Sequence, residues 1–357
     1  MSDYLDPSAP DPLDEAFTAA WLTDQEFPAV EYVVPGVIPE GLTLLTAAPK
    51  IGKSWMVLGL GVAAATGGHA FGRIRVDRRP VLYLALEDGP RRLQSRLRTI
   101  GITEGPRDLT FMTTTPAGAA VTIETFLERN GDRKPLVVLD TLGKVRGVYS
   151  GNDAYQKDYG QMSALKDLVD AHPGSSLIIV HHTKKAETTD FLDSVSGTQG
   201  LAGAADSILV LRRSRHDTSA VLNVTSRDAA EGEYAVTFNG NTGTWSLDGV
   251  NLEAAAQAVE ENRATEGVGD EMAEVVKIVS RYPEGVRPKD LETLLHMKPD
   301  TLRSYLRRAT EAGRIANPKR GLYAPATTAT TATFTDVHLP NVAEVADVAP
   351  RHLEVIR

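Results

Sequence analysis

The sequence predicts an α/β protein, with one large domain built on a mainly parallel β-sheet and a smaller helical unit after it. Three observations carry that expectation. Between Tyr32 and about Ser246, short β-branched runs alternate with helical stretches, the pattern of strands joined by crossover helices. One strand-to-helix turn carries a phosphate-loop signature ending in Gly52-Lys53-Ser54. Past the glycine-bearing stretch Glu266-Gly-Val-Gly-Asp270, the pattern changes to three helical segments and a basic hairpin.

The elements follow in order. Residues 1–29 are acidic, contain proline and are weakly patterned, and read as an arm with a short helix around Leu13 to Leu22. Residues 30–250 form the large domain. Its apolar runs are Leu42–Thr46, Val81–Leu86, Leu109–Thr113, Leu136–Asp140, Leu177–Val180 and Ile208–Leu211, each short enough for a buried strand. Ala220–Thr225 and Tyr234–Phe238 lie close together with Gly and Asn turns after them, and should add antiparallel strands at one sheet edge. Residues 251–270 supply an alanine-rich helix, Leu252 to Asn262, and a linker. Residues 271–324 form the second unit, and the Thr/Ala repetition over 325–357 reads as a disordered tail.

Composition sets further bounds. The 357 residues, 42% hydrophobic, suffice to bury a large core. With no cysteine, disulfides and thiolate metal sites are excluded. The start lacks the basic and apolar runs of a signal peptide, and the longest apolar stretch, Trp55 to Thr66, is too short to span a bilayer. A soluble, cytoplasmic bacterial protein, plasmid- or phage-encoded, is expected, with no membrane partner. The net charge of −9 argues against nucleic acid at first sight. Yet residues 1–49 contain nine acids and neither Lys nor Arg, so the rest of the chain is balanced and free to carry basic patches.

The chemistry starts at the phosphate loop. Strand Leu42–Thr46 runs into Ala47-Ala48-Pro49-Lys50-Ile51-Gly52-Lys53-Ser54, and a helix follows from Trp55. Such a loop aims consecutive backbone N–H groups at phosphate oxygens, at the positive end of a helix. Ala48 to Trp55 are therefore the candidate nucleotide-binding residues. Lys53 would reach the β and γ phosphates of ATP, and the Ser54 hydroxyl would bind Mg²⁺. Ala47 stands where the usual pattern has its first glycine, a residue that takes positive φ less freely.

Two further strands end in acids. Lys134-Pro-Leu-Val-Val-Leu-Asp140 supplies a second candidate Mg²⁺ ligand, Asp140. Thr141 follows it, where many phosphate-loop ATPases place the glutamate that orients water, so the base must come from elsewhere. Pro80-Val-Leu-Tyr-Leu-Ala-Leu-Glu87-Asp88 offers one, because ligands of open α/β sheets bind at the carboxyl ends of strands. Glu87 is the candidate base, with Asp88 its less certain neighbour; capping of the helix near Pro90 is the competing role. Leu177-Ile-Ile-Val-His181-His182 ends a strand in two histidines, suited to sensing a γ-phosphate or, equally, to packing.

Taken together, these motifs resemble the plasmid RepA-type hexameric replicative helicases and the wider phage and plasmid ATPases around them. The matching pieces are Glu31-Tyr-Val-Val-Pro-Gly36, Ala48-Pro-Lys-Ile-Gly-Lys-Ser54, Leu84-Ala-Leu-Glu-Asp88, Val138-Leu-Asp-Thr-Leu142 and His181-His-Thr-Lys184, spread over roughly Tyr32 to Ser246. The resemblance implies a RecA-like fold, a homo-hexameric ring, ATP at subunit interfaces and single-stranded DNA through the centre. It implies Lys53 and Ser54 on phosphate and Mg²⁺, Glu87 as catalytic glutamate, Asp140 on the metal through water, and His182 with His181 as the sensing motif. An arginine from the next subunit would complete the site. Arg227 is the first choice, with Arg213 and Arg212 as rivals, and surface pairing to Asp228 or Glu231 the alternative.

DNA contacts are expected in two loops, through Lys144, Arg146 and Tyr149 and through Lys184 and Lys185, although solvated loops often look the same. In the second unit, helices over Glu271–Ser280 and Pro288–Leu295 and from Pro299 to Gly313, then a hairpin with a Pro-Lys-Arg-Gly tip, resemble a winged helix-turn-helix. Arg303, Arg307 and Arg308 would face duplex DNA and Lys319 and Arg320 its phosphates; protein docking is the other use of such a module. The leading functional expectation is an ATP-driven DNA helicase or translocase of plasmid or phage replication, with a primase or initiator partner. The alternatives are an ATP-switched DNA-binding initiator or regulator without motor activity, and a RecA-like recombination ATPase.

Overall fold

In the computed structural model, which describes residues 13–14, 16–145, 154–182, 199–213, 217–265 and 270–326, the phosphate-loop strand lies inside a nine-stranded sheet. In chain order the large unit contains β1 (Gly41–Ala47), α1 (Lys53–Thr66), β2 (Val81–Ala85), α2 (Pro90–Thr99), β3 (Leu109–Met112), α3 (Ala119–Asn130) and β4 (Leu136–Asp140). There follow α4 (Ala154–Asp170), β5 (Ser176–His182), β6 (Ser207–Arg212), β7 (Ser219–Ser226), β8 (Gly232–Asn239) and β9 (Thr244–Leu247). The strand order is β3-β2-β4-β5-β1-β6-β7-β8-β9. The first six strands are parallel and the last three antiparallel. With the phosphate loop leaving β1, this is the RecA-like P-loop arrangement.

All six apolar runs form the parallel strands; five are buried on both faces, which leaves no polar alternation, and β3 at the sheet edge is partly exposed. The antiparallel edge has a third strand, β9, that the apolar pattern does not predict. Its four residues alternate exposed and buried, a pattern too short to stand out from the turn before it.

Period-two alternation splits the core into two layers. Val81, Tyr83, Ala85, Leu136, Val138, Ile178 and Val180 pack on the α1 side. Leu82, Leu84, Val137, Leu139, Leu177 and Ile179 pack against α3 and α4 on the other. The polar residues continuing each strand inherit these faces.

Two compact units divide the chain, Met1–Glu260 and Glu261–Arg357, and helix α5 (Leu252–Thr265) spans the division. The second holds α6 (Asp270–Ser280), α7 (Pro288–Leu295), α8 (Pro299–Glu311) and the hairpin β10 (Ile315–Lys319) and β11 (Leu322–Pro325). Val275, Val276, Val279, Leu291, Leu302 and Leu306 form its core, and Val286 bridges Tyr323. The N-terminal arm contributes a five-residue helix, Ala19–Thr23, none of it buried. Among the described residues, no helix is long and apolar enough to cross a membrane.

Candidate active site

The phosphate loop joins β1 to α1 through a tight turn in which Lys50 (φ 66°) and Gly52 (φ 105°) take positive φ. Ala47 does not. It ends β1 with extended pairing to His182 and Leu211 and is fully buried, so the alanine costs the loop no backbone strain. Gly52 is needed twice: its φ suits glycine, and a Cβ there would stand 3.0 Å from the Trp245 ring.

Two groups remote in sequence hold the loop from behind. Trp245 Nε1 donates to the Gly52 carbonyl at 3.1 Å, and Arg213 donates to the Ile51 carbonyl at 3.2 Å. The Arg213 guanidinium also lies over Phe238, 4.7 Å from the ring centroid, and over Trp245 at 5.7 Å. With these carbonyls engaged on the β8–β9 side, the N–H groups at the start of α1 are left to face a ligand. Arg213, a rival for the trans arginine, is thus committed to its own loop. Arg212 pairs with Glu233 at 3.0 Å.

Lys53 is almost wholly buried. Its ammonium donates to the carbonyls of Ala47 at 2.8 Å and Ala48 at 3.0 Å, and lies 2.9 Å from His182 Nδ1. An ammonium has only donors, so Nδ1 accepts and the imidazole proton belongs on Nε2. Burial pushes the Lys53 ammonium down to about 8, against the pull of Asp140 and then Glu87. Burial, and then the adjacent Lys53 charge, likewise lowers the His182 pKa.

Asp140 ends β4 on the same face. Its carboxylate accepts from the Tyr83 hydroxyl at 2.8 Å and from the Ser54 hydroxyl. Burial raises its pKa, the two hydrogen bonds pull it down, and Asp88 and Glu87 push it up again. The Tyr83 phenol is held well above its ordinary value by burial and by Asp140. Ser54 and Asp140 thus present facing oxygens, the donor type a hard divalent cation takes. No cluster of three His, Cys, Asp or Glu side chains exists among the described residues to cage a metal. The hydroxyl and carboxylate oxygens of Ser54 and Asp140 fit Mg²⁺, which takes few protein ligands together with phosphate and water.

Glu87 stands in the turn after β2, whose Ala85 pairs with Asp140, and Leu86 N–H donates to the Asp140 carbonyl at 2.8 Å. Its carboxylate is exposed and acts electrostatically on Lys53, Asp140 and His182 together. The capping role does not occur: Gly89 caps α2 and no side chain assists it. Asp88 instead is buried and tied to Arg92 at 2.8 Å and to Arg96, anchoring α2 and leaving Glu87 turned to the site. Arg96 in turn lies over the Trp55 ring at 5.4 Å.

The structure thus brings together Lys53, Ser54, Glu87, Asp140 and His182. His181 is apart from them. Alternation along β5 turns it to the face of Leu177 and Ile179, so the histidine pair divides between the two sides of the sheet. Arg227 follows β7, which runs antiparallel, and therefore sits at the amino-terminal rim beside Asp206, 3.6 Å away. Its partner is this acid rather than Asp228 or Glu231.

Lys144 is exposed just after β4, whereas Arg146, Tyr149, Lys184 and Lys185 lie outside the described residues. In the second unit Arg303, Arg307, Arg308, Lys319 and Arg320 are all exposed. Tyr83, Arg213 and Trp245 support the site in roles that no motif predicts. Only Tyr83 carried a signal, as the single polar tip inside an apolar run aligned in parity with a site face.

A family model described as the AAA domain matches residues 8–188. Among solved structures, the chain is similar to a DnaB-like replicative helicase solved for its interactions with primase, at 14% identity and TM-score 0.46 over 58% of this chain and 57% of that one. The RadB recombinase aligns at 18% identity and TM-score 0.42 over 60% of this chain and 91% of its own. A KaiC-like protein from the hyperthermophilic archaeon Pyrococcus horikoshii aligns at 13% identity and TM-score 0.41, over 63% of this chain and 100% of its own.

Proposed function

Because the chain belongs to the AAA domain family and is a P-loop ATPase, we propose that it is an ATP-driven DNA helicase or translocase of the replicative, RepA-like kind, working as a ring. The observation that carries this reading is the convergence of Lys53, Ser54, Asp140, Glu87 and His182 at one rim of the sheet. The loop N–H groups and Lys53 bind the triphosphate of ATP, and Ser54 and Asp140 hold Mg²⁺, which when bound neutralises charge on the phosphates. Glu87 takes up the proton of the attacking water, for which its exposed carboxylate is free. His182, hydrogen-bonded to Lys53, answers to whether that lysine is engaged by phosphate, and Lys184 and Lys185 follow it closely in sequence.

Further roles follow from the same reading. Arg227 is offered to the nucleotide of an adjoining copy. Lys144 and Arg146, with Lys184 and Lys185, contact single-stranded DNA along the ring. The second unit, with eleven Lys and Arg against eight Asp and Glu over 270–326, is a winged helix whose α8 arginines and hairpin tip bind duplex phosphates.

Steady-state ATP hydrolysis by wild type and Glu87→Gln, each with and without single-stranded DNA, tests the proposal. DNA-stimulated turnover that collapses in Glu87→Gln is expected. Strand separation that survives Lys53→Ala would exclude a motor, and a chain that binds DNA under ATP control without hydrolysing it would be a switch instead.

A further inference from the structure

Helix α2 carries four arginines and no acid, and Leu93 is its one buried residue. Like charges gathered on one short helix repel each other, so the placement of each arginine needs a physical reason. Two of them have one. Arg92 and Arg96, one turn apart, both reach the buried Asp88, which pins the helix to the turn after β2. Arg91 and Arg98 are exposed and make no ion pair among the described residues. Arg91 also stands in the first turn, at the positive end of the helix dipole, where a cation is disfavoured. The packing of this unit gives neither side chain a task.

These two arginines share one face of the helix. Seven residues make about two turns, which puts Arg91 and Arg98 in line about 10.5 Å apart, with Gln94 and Ser95 between them. The four, with Thr99, line one shallow groove of about 440 Å³ on the solvent side of α2. Among the described residues no acid lines it. Guanidinium, amide and hydroxyl groups are the side chains that contact phosphate oxygens along DNA, and the guanidinium fork matches phosphate geometry. No described aromatic lines the groove either, so it lacks the stacking platform of single-strand sites. Its open, two-turn length suits a row of charges rather than one enclosed anion, and duplex DNA offers one charge per about 1.7 Å of axis.

We propose that this outer face of α2 is a contact for the phosphate backbone of duplex DNA, made by Arg91 and Arg98 with Gln94 and Ser95 between them. The inference rests on the reading that the chain works on DNA, and adds to it a site in the ATPase unit distinct from the loops after β4 and β5 and from the second unit. With phosphate as its target, the contact is independent of base sequence. Its place matters, because α2 begins three residues after Glu87 and is fastened to that turn through Asp88. DNA seated there bears on the turn that presents the proposed base.

Anisotropy of a fluorescein-labelled duplex of random sequence, titrated with full-length protein without nucleotide over a series of salt concentrations, tests the contact. Arg91→Ala/Arg98→Ala should weaken binding by about tenfold or more at about 0.1 M salt and lower the salt slope by about two, since each phosphate neutralised contributes about 0.9. Arg91→Lys/Arg98→Lys should keep the wild-type slope, because charge alone sets it. Both variants should keep the wild-type melting temperature, because the two side chains are exposed. An unchanged slope in the alanine variant overturns the proposal. So does a loss that the lysine variant shares, or one confined to a single-stranded oligonucleotide. Wild type that binds no duplex at any salt would overturn the DNA reading as a whole, so the two failures are told apart.

Discussion

Replacing Tyr83 by Phe removes one hydrogen bond and almost nothing else, because the ring keeps its place in the α1-side core. The bond lost is the 2.8 Å contact to Asp140, between two buried groups. A hydrogen bond to an ionised group contributes about 1.5–3 kcal/mol, and one between neutral groups about 0.5–1.5 kcal/mol. The loss should therefore depend on whether Asp140 is charged. Burial already raises its pKa above the usual 3.8, so the folded state holds this proton more tightly than the unfolded chain. For a raised carboxyl, stability grows as pH falls through the folded pKa and is reduced above it. Losing Tyr83 removes an interaction that favours the ionised form, raises the pKa further and deepens the penalty at neutral pH. Urea unfolding followed by tryptophan fluorescence measures this cleanly, because all three tryptophans, Trp21, Trp55 and Trp245, lie in the Met1–Glu260 unit. Tyr83→Phe should cost about 1.5–3 kcal/mol at neutral pH and about half that once Asp140 is protonated. A loss that does not change with pH, or one below about 0.5 kcal/mol at neutral pH, would refute the reasoning.

Other perturbations separate the remaining roles. Glu87→Gln should lower kcat by about 10²–10⁴-fold while leaving the calorimetric affinity for ATP nearly unchanged, as removal of a general base does. Trp245→Phe deletes the 3.1 Å bond to the Gly52 carbonyl but keeps an aromatic wall, and should weaken nucleotide binding by about two- to tenfold in the same calorimeter. Arg227→Ala should spare ATP binding yet abolish turnover in the assembled protein; unimpaired turnover would return Arg227 to a surface pair with Asp206. Arg303→Ala/Arg307→Ala/Arg308→Ala should leave ATPase intact and reduce the salt slope of duplex binding by about three, and an unchanged slope would remove the second unit from DNA.

How much of this the amino-acid order discloses varies by element for physical reasons. Parallel strands buried on both faces announce themselves as apolar runs, and the helices of the second unit start at Pro288 and Pro299, where proline's fixed φ and missing N–H suit a first turn. Lys53, Ser54, Asp140 and Glu87 are legible because each ends or follows one of the sheet's parallel strands, which all point one way. Arg213 and Trp245 are not, because they reach the loop across separations of 162 and 193 residues, with no local pattern to tie them to Ile51 and Gly52. β9 is hidden by its length, and Asp88 by its adjacency to Glu87, since only folding shows which of the two turns inward to Arg92 and Arg96.

Strand parity and sheet polarity together decide what each charged residue can do. Parity puts Tyr83, Asp140 and His182 on the α1 face with Lys53 and sends His181 to the other, so one histidine, not two, can respond to the lysine. Polarity separates the rims. β1 runs seven residues from the amino-terminal edge, where Gly41 lies against Asp206, to the phosphate loop, a distance of about 20 Å. Arg227, paired with Asp206 at the near edge, cannot reach the nucleotide of its own chain across that span. A catalytic use of Arg227 would therefore require a second copy of the chain, as the proposed trans role supposes.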